Sequence, residues 1–159
     1  MTNEELAQLA GRVADQSMRA GRTLATAESC TGGWIAKCLT DIPGSSEWFR
    51  GGVVSYSNEM KARLLGVPED LIAKEGAVSE AVARAMAEGA LRACGADCAV
   101  AVTGVAGPEG GSAGKPVGTV WLAWAARDRQ TRSLLQSFDG DREAVRRAAA
   151  ACALQGLLA

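Results

Sequence analysis

"TLATAESCTGGW", residues 23–34, changes character half-way along. Its first part is a short run of small, apolar and β-branched residues, the composition of a buried strand ending at Glu28. Its second part gathers a carboxylate, two hydroxyls, a thiol and two glycines ahead of an apolar stretch. "CTGGWIAKCLTD" is read as a helix that stops before Pro43, because the residue preceding a proline avoids the helical region. Ser29 then stands where strand gives way to helix.

The alternation continues in both directions. Upstream, "TNEE" offers Thr2 as a helix cap with Glu5 reaching back to it, followed by Leu6, Leu9, Ala10 and Val13 on one face and Gly21 as the end. Downstream, strand "GGVVSY" leads to a helix around "NEMKARLL", capped by Ser57 or Asn58 and ended by Gly66. A short helix runs from Pro68 through Lys74, and a longer one starts at Ser79 with Val82, Met86 and Leu91 toward the core. Strand "DCAVAVTG" follows. Residues 104–118, dense in glycine and proline, read as a loop. "VGTVWLAWAA" and "TRSLLQSF" read as an antiparallel hairpin across "RDRQ", and a last helix begins near Asp141, carrying Val145, Ala148, Cys152 and Leu158.

This order predicts an α/β fold: a three-layer α/β/α sandwich around a mixed, mainly parallel central sheet, in a single domain spanning residues 1–159. Ligands of open α/β sheets bind beyond the carboxyl ends of the strands. Ser29, Tyr56 and Thr103 each lie at or just past a strand end, so they converge if those three strands are parallel neighbours.

Composition narrows the partners. The 159 residues are 48% hydrophobic and 22% charged with a net charge of −1, which gives no basic footprint for nucleic acid or an anionic membrane and favours a small-molecule partner. No signal peptide and no run of ~18 apolar residues is present. The five cysteines are odd in number and read as reduced thiols in a cytoplasmic protein. Cys94 and Cys98 are separated by a helix-ending Gly95, and without histidine they complete no zinc set, so no metal is expected.

The absence of histidine decides most about chemistry. It removes Ser-His-Asp and Cys-His triads and HExxH sites together, leaving Lys, Tyr, Asp, Glu or Cys for acid–base work. Ser29 has two readings, a plain N-cap or a nucleophile beside unpaired backbone amides and a helix dipole. Cys30 is the rival nucleophile, but successive helical residues point about 100° apart, so only one of the pair faces a site. Lys61 falls in the first turn of its helix, the wrong end for a cation. Together with burial this lowers its pKa toward a neutral amine able to take a proton from serine; the alternative is a solvated surface lysine. Tyr56 is a proton relay or edge packing. Thr103 opens the glycine loop, whose amides can cradle an anion. Arg142, at the start of the last helix, suits a phosphate, whereas Arg146 and Arg147 read as a solvated basic face.

Together "TAESCTGG", "YSNEMKARLLGV", "GAVSE", "TGVAGPEGG" with "KPVGTVW", and "GDREAVRR" resemble the CinA C-terminal domain family, in its order and over most of the chain. The resemblance implies a serine amidohydrolase that converts nicotinamide mononucleotide and water to nicotinic acid mononucleotide and ammonia without metal or other cofactor, in pyridine-nucleotide recycling. By the same resemblance Ser29 is the nucleophile and Lys61 the general base, with Tyr56 and Thr103 assisting. Glu28, Cys30, Thr31, Gly32, Gly33, Asn58, Gly104, Gly107 and Arg142 form the substrate-binding set. Within it Glu28 is expected to orient the nucleophile, and Gly32 and Gly33 to make room for substrate. The oxyanion is assigned to backbone amides within 30–33 or 104–107. A homodimer is expected, with Trp48 and Phe49 packing either on a partner or on this core. The alternative function is a nucleotide-binding or competence-related regulatory module with the same pocket and no turnover; a further one is an amidase for a different pyridine or nucleotide amide.

Overall fold

The computed structural model describes all residues, 1–159. The elements run α1 (Asn3–Ala20), β1 (Leu24–Glu28), α2 (Trp34–Thr40), a 3-10 turn (Ser45–Glu47), β2 (Phe49–Val54), α3 (Asn58–Leu65), α4 (Glu69–Glu75), α5 (Glu80–Cys94), β3 (Cys98–Gly104), β4 (Thr119–Ala126), β5 (Arg129–Ser137) and α6 (Arg142–Leu157). Thr2 and Glu5 form the expected capping box at α1, and Gly21, Gly66 and Gly95 close α1, α3 and α5 in the left-handed conformation that glycine adopts most readily.

The sheet has the order β2-β1-β3-β4-β5. β1 pairs in parallel with β2 on one side and β3 on the other, while β4 runs antiparallel to both β3 and β5. Four strands therefore point one way and β4 alone runs back, giving the mixed, mainly parallel sheet expected. The three strands leading to Ser29, Tyr56 and Thr103 are neighbours, with β1 in the middle.

The two faces of this sheet are built differently. Toward α1, α2 and α6 they carry Leu24, Val100, Val102, Val120, Leu122 and Trp124. Toward α3, α4 and α5 the same strands present alanine: Ala25 and Ala27, Ala99 and Ala101, Ala123 and Ala125. The small face lets α5 lie close, and α5 answers with its own Ala83, Ala87 and Ala90. α3 is drawn in as well: a Cβ at Gly89 would lie 2.0 Å from the Leu65 carbonyl oxygen at the end of α3, so only glycine permits the approach. That contact holds α3, which carries Lys61, against α5.

Several expectations are corrected. α2 starts at Trp34 rather than Cys30, because Gly32 (φ 60°) and Gly33 (φ 98°) are left-handed and cannot belong to a right-handed helix. In α5, Val82 and Met86 are fully buried and the half-buried Leu91 packs against the same core cluster, as expected. In α6, Val145, Ala149, Ala150, Ala153 and Leu154 are buried in the core and the half-buried Cys152 and Leu158 pack against it, but Leu158 lies past the helix, which ends at Leu157. Trp48 is 2% exposed and packs in this chain's own core, with Phe49 against it. No helix is long and apolar enough to cross a membrane.

Candidate active site

Beyond the carboxyl ends of β2, β1 and β3 lies a cleft of about 220 Å³. Ser29, Cys30, Tyr56, Asn58 and Lys61 line one side of it. Thr103, Gly104, Ala106 and Arg142, with two residues that sequence reasoning missed, Ala77 and Val78, complete the wall. Ala77 and Val78 sit in the short link between α4 and α5, and carry no chemical signature that could have marked them.

Lys61 is the centre of the geometry. It is 1% exposed, and its Nζ lies 3.0 Å from Ser29 Oγ, 3.0 Å from the Ser55 carbonyl oxygen and 3.1 Å from the Tyr56 carbonyl oxygen. An ammonium has three N–H donors and here meets three oxygens. Burial holds the Lys61 pKa below its ordinary value of 10.5, opposed by the Cys30 thiol nearby. The direction matches the sequence argument, with burial as the leading cause. Ser57, not Asn58, caps α3, accepting from the Met60 amide at 3.2 Å, so Lys61 is the fourth helical residue.

Ser29 is 8% exposed, and its hydroxyl donates to the Tyr56 carbonyl at 3.4 Å besides meeting Lys61. It caps no helix. Capping falls to Glu28, whose carboxylate accepts from the Thr31 hydroxyl at 2.7 Å and from the Ile35 and Ala36 amides, both at 2.9 Å. Glu28 and Thr31 are thus turned into the start of α2 and away from the cleft, a departure from their expected place among substrate-binding residues. With α2 beginning five residues past Ser29, the expected helix start at Ser29 is also withdrawn. Gly32 and Gly33 do not open space for a ligand either: a Cβ there would meet Arg146 at 3.1 Å and Val54 at 3.5 Å. They supply the left-handed turn.

Cys30 lies at the wall, but burial pushes its thiol up to about 12, far from a ready thiolate. Of the amides in the loops after β1 and β3 that meet no partner residue (Cys30, Thr31, Gly33, Ala106 and Gly107), only those of Cys30 and Ala106 belong to residues of the cleft wall, whereas Ser29 N–H donates to the Val102 carbonyl at 3.0 Å and Val105 N–H to the Thr119 carbonyl at 2.8 Å. These two unpaired donors lie within the ranges 30–33 and 104–107. Thr103 is buried and donates to the Ala77 carbonyl at 2.9 Å, tying β3 to the α4–α5 link. Tyr56 turns its ring outward, 58% exposed; its hydroxyl accepts from Arg142 Nη2 at 3.0 Å, and only its backbone reaches Ser29 and Lys61. Arg142 Nη1 also donates to the Gly107 carbonyl at 2.7 Å, so Gly107 stands behind Arg142 at the mouth. Arg146 is not the solvated cation its sequence neighbours imply: it bonds the Cys30 and Thr31 carbonyls from below. No group of three or more His, Cys, Asp or Glu comes together to hold a metal ion.

The sequence model of the CinA C-terminal domain matches residues 6–159. The chain belongs to the CinA C-terminal domain family. Among its relatives in this family is the "Nicotinamide-nucleotide amidohydrolase PncC" of Escherichia coli K12, 55% identical over 157 residues, covering 99% of this chain and 95% of that protein. The protein of the same name from Pseudomonas putida is 55% identical over 155 residues, covering 98% and 96%. The solved structure of "competence/damage inducible protein CihA" from Agrobacterium tumefaciens superposes with a TM-score of 0.94 at 44% identity, covering 97% of this chain and 94% of that one.

Proposed function

We propose that the chain is a nicotinamide-nucleotide amidohydrolase that hydrolyses the carboxamide of nicotinamide mononucleotide to the carboxylate and ammonia through a Ser29/Lys61 dyad. Relatives that bear this activity in their names support the substrate. The observation that carries the mechanism is the set of three oxygens around Lys61 Nζ. A neutral amine has two N–H bonds and one lone pair. With both N–H bonds donated to the Ser55 and Tyr56 carbonyls, the lone pair is left for the Ser29 hydroxyl, whose one proton turns from the Tyr56 carbonyl to Lys61 before attack.

The reaction follows from that arrangement. Lys61 accepts the Ser29 proton as Ser29 Oγ bonds to the carboxamide carbon, and the ammonium so formed donates to all three oxygens, so the same partners serve both protonation states. The Cys30 and Ala106 amides are the donors for the developing oxyanion. The C–N bond then breaks, the leaving nitrogen takes the proton from Lys61, and ammonia departs. Lys61, neutral again, takes a proton from water as the water attacks the acyl ester, and returns it to Ser29 Oγ as the ester C–O bond breaks and the carboxylate leaves. Arg142 and the N-terminus of α6 at the mouth hold the phosphate, and Tyr56 and Asn58 line the path to it. The five free thiols favour a cytoplasmic setting.

The test is incubation of the purified chain with nicotinamide mononucleotide, with ammonia and nicotinic acid mononucleotide quantified together. Equal release of both is expected. Thermal stabilisation by the nucleotide without ammonia would instead establish a binding module, and turnover of another amide alone would reassign the substrate.

A further inference from the structure

Arg146 lies on the second turn of α6, 116 residues from the turn it touches. Its Nε donates to the Cys30 carbonyl at 3.0 Å and its Nη2 to the Thr31 carbonyl at 3.2 Å. One planar fork thus holds the carbonyls of both residues that follow Ser29. We propose that Arg146 is the positioning residue of the nucleophile turn, fixing the peptide units after Ser29 so that its hydroxyl stays on Lys61 and the Cys30 N–H stays free for the oxyanion. This rests on the amidase reading above.

The restraint passes through covalent geometry. A trans peptide is planar, so a carbonyl held in place fixes the N–H across the same bond. Holding the Cys30 and Thr31 carbonyls fixes the Thr31 and Gly32 N–H groups. Gly32 N–H donates to the Ser29 carbonyl at 3.0 Å, which fixes the Ser29–Cys30 peptide and with it the direction of the Cys30 N–H. The same contacts polarise the turn, since a carbonyl bound to a cation makes its peptide N–H a stronger donor.

Two features show that the arrangement is specific to Arg146. Its neighbour Arg147 is paired with Glu143 at 2.6 Å, whereas Arg146 makes no ion pair, so no carboxylate in contact offsets its charge beside the turn. Both guanidinium groups lie over Trp34, Arg146 at 5.5 Å and Arg147 at 5.0 Å from the ring centroid, but only Arg146 reaches beneath Gly32, where no Cβ is present to meet it at 3.1 Å.

The experiment compares the parent chain with Arg146→Ala and Arg146→Lys for turnover of nicotinamide mononucleotide, thermal midpoint, and response to added guanidinium at a non-denaturing concentration. The expected result for Arg146→Ala is a ~10–100-fold fall in kcat with KM little changed, partly restored by guanidinium. Arg146→Lys keeps the charge without the fork, and is expected to stay folded with kcat at least about tenfold down. Parental kcat in folded Arg146→Ala, or in Arg146→Lys should the alanine variant not fold, overturns the proposal. A loss that follows the thermal midpoint and is not rescued by guanidinium overturns it too, by reducing Arg146 to a clamp between α6 and the turn. An inactive parent chain overturns the amidase reading and this proposal with it; an active parent with active variants overturns this one alone.

Discussion

Three serines of this chain stand where an extended segment meets a helix, and one behaves unlike the other two. Ser57 and Ser79 direct their hydroxyls to the amides of Met60 at 3.2 Å and Val82 at 3.3 Å, the ordinary N-cap bond. Ser29 instead meets Lys61 at 3.0 Å and caps nothing. The difference lies in the residue before it. Glu28 reaches past the glycine turn to the Ile35 and Ala36 amides, so the helix is capped by a carboxylate from the strand end and the serine hydroxyl is left free. A nucleophile at a strand-to-helix junction therefore needs a second group to take over the cap.

That contrast can be broken from several sides. The largest effect is expected at Lys61: Lys61→Ala should lower turnover of nicotinamide mononucleotide by ~1000-fold or more, and Lys61→Arg nearly as much, since a guanidinium does not deprotonate. The pH profile follows from the same group. Protonated Lys61 cannot accept the Ser29 proton, so kcat/KM should rise tenfold per pH unit and level off at a pKa below the ordinary lysine value of 10.5. A flat profile across that range would remove the lysine base. Glu28→Ala should uncouple cap and nucleophile, costing about 1–3 kcal/mol of stability in urea unfolding for the stranded amides, together with about tenfold in kcat. The smallest effect is expected at Cys30→Ala, which should leave turnover within about twofold, because a buried thiol held up to about 12 supplies no thiolate.

Much of the framework was legible because its signals are local. The capping box at Thr2 and Glu5, the glycine ends of α1, α3 and α5, and the hairpin of β4 and β5 each follow from residues a few positions apart. The convergence of the Ser29, Tyr56 and Thr103 segments was legible through strand order, as ligands collect at one end of parallel strands, whereas Lys61 and Arg142, on helices, entered the site through charge placement and family resemblance. The start of α2 was misread because a serine before an apolar-periodic run looks like a cap. The pair Gly32 and Gly33, both needing a left-handed backbone, was the signal to the contrary. Arg146 was misread for another reason. Its partners are backbone carbonyls far along the chain, and a carbonyl carries no side-chain identity for a sequence to display. For Trp48 the sequence left partner and core both open, and the choice is made by its packing in the cluster of α1 and the first sheet face.

The central claim, that Ser29 is freed from capping in order to react, is tested most directly by measuring thermal midpoint and ammonia release from nicotinamide mononucleotide in Ser29→Ala and Ser79→Ala side by side. The account predicts a crossed result. Ser79→Ala should lose about 1 kcal/mol of stability and keep its turnover, as expected of a cap, while Ser29→Ala should keep its stability and release no ammonia above background. A folded Ser29→Ala protein that releases ammonia at the parental rate, or that loses stability as Ser79→Ala does while remaining active, would contradict it.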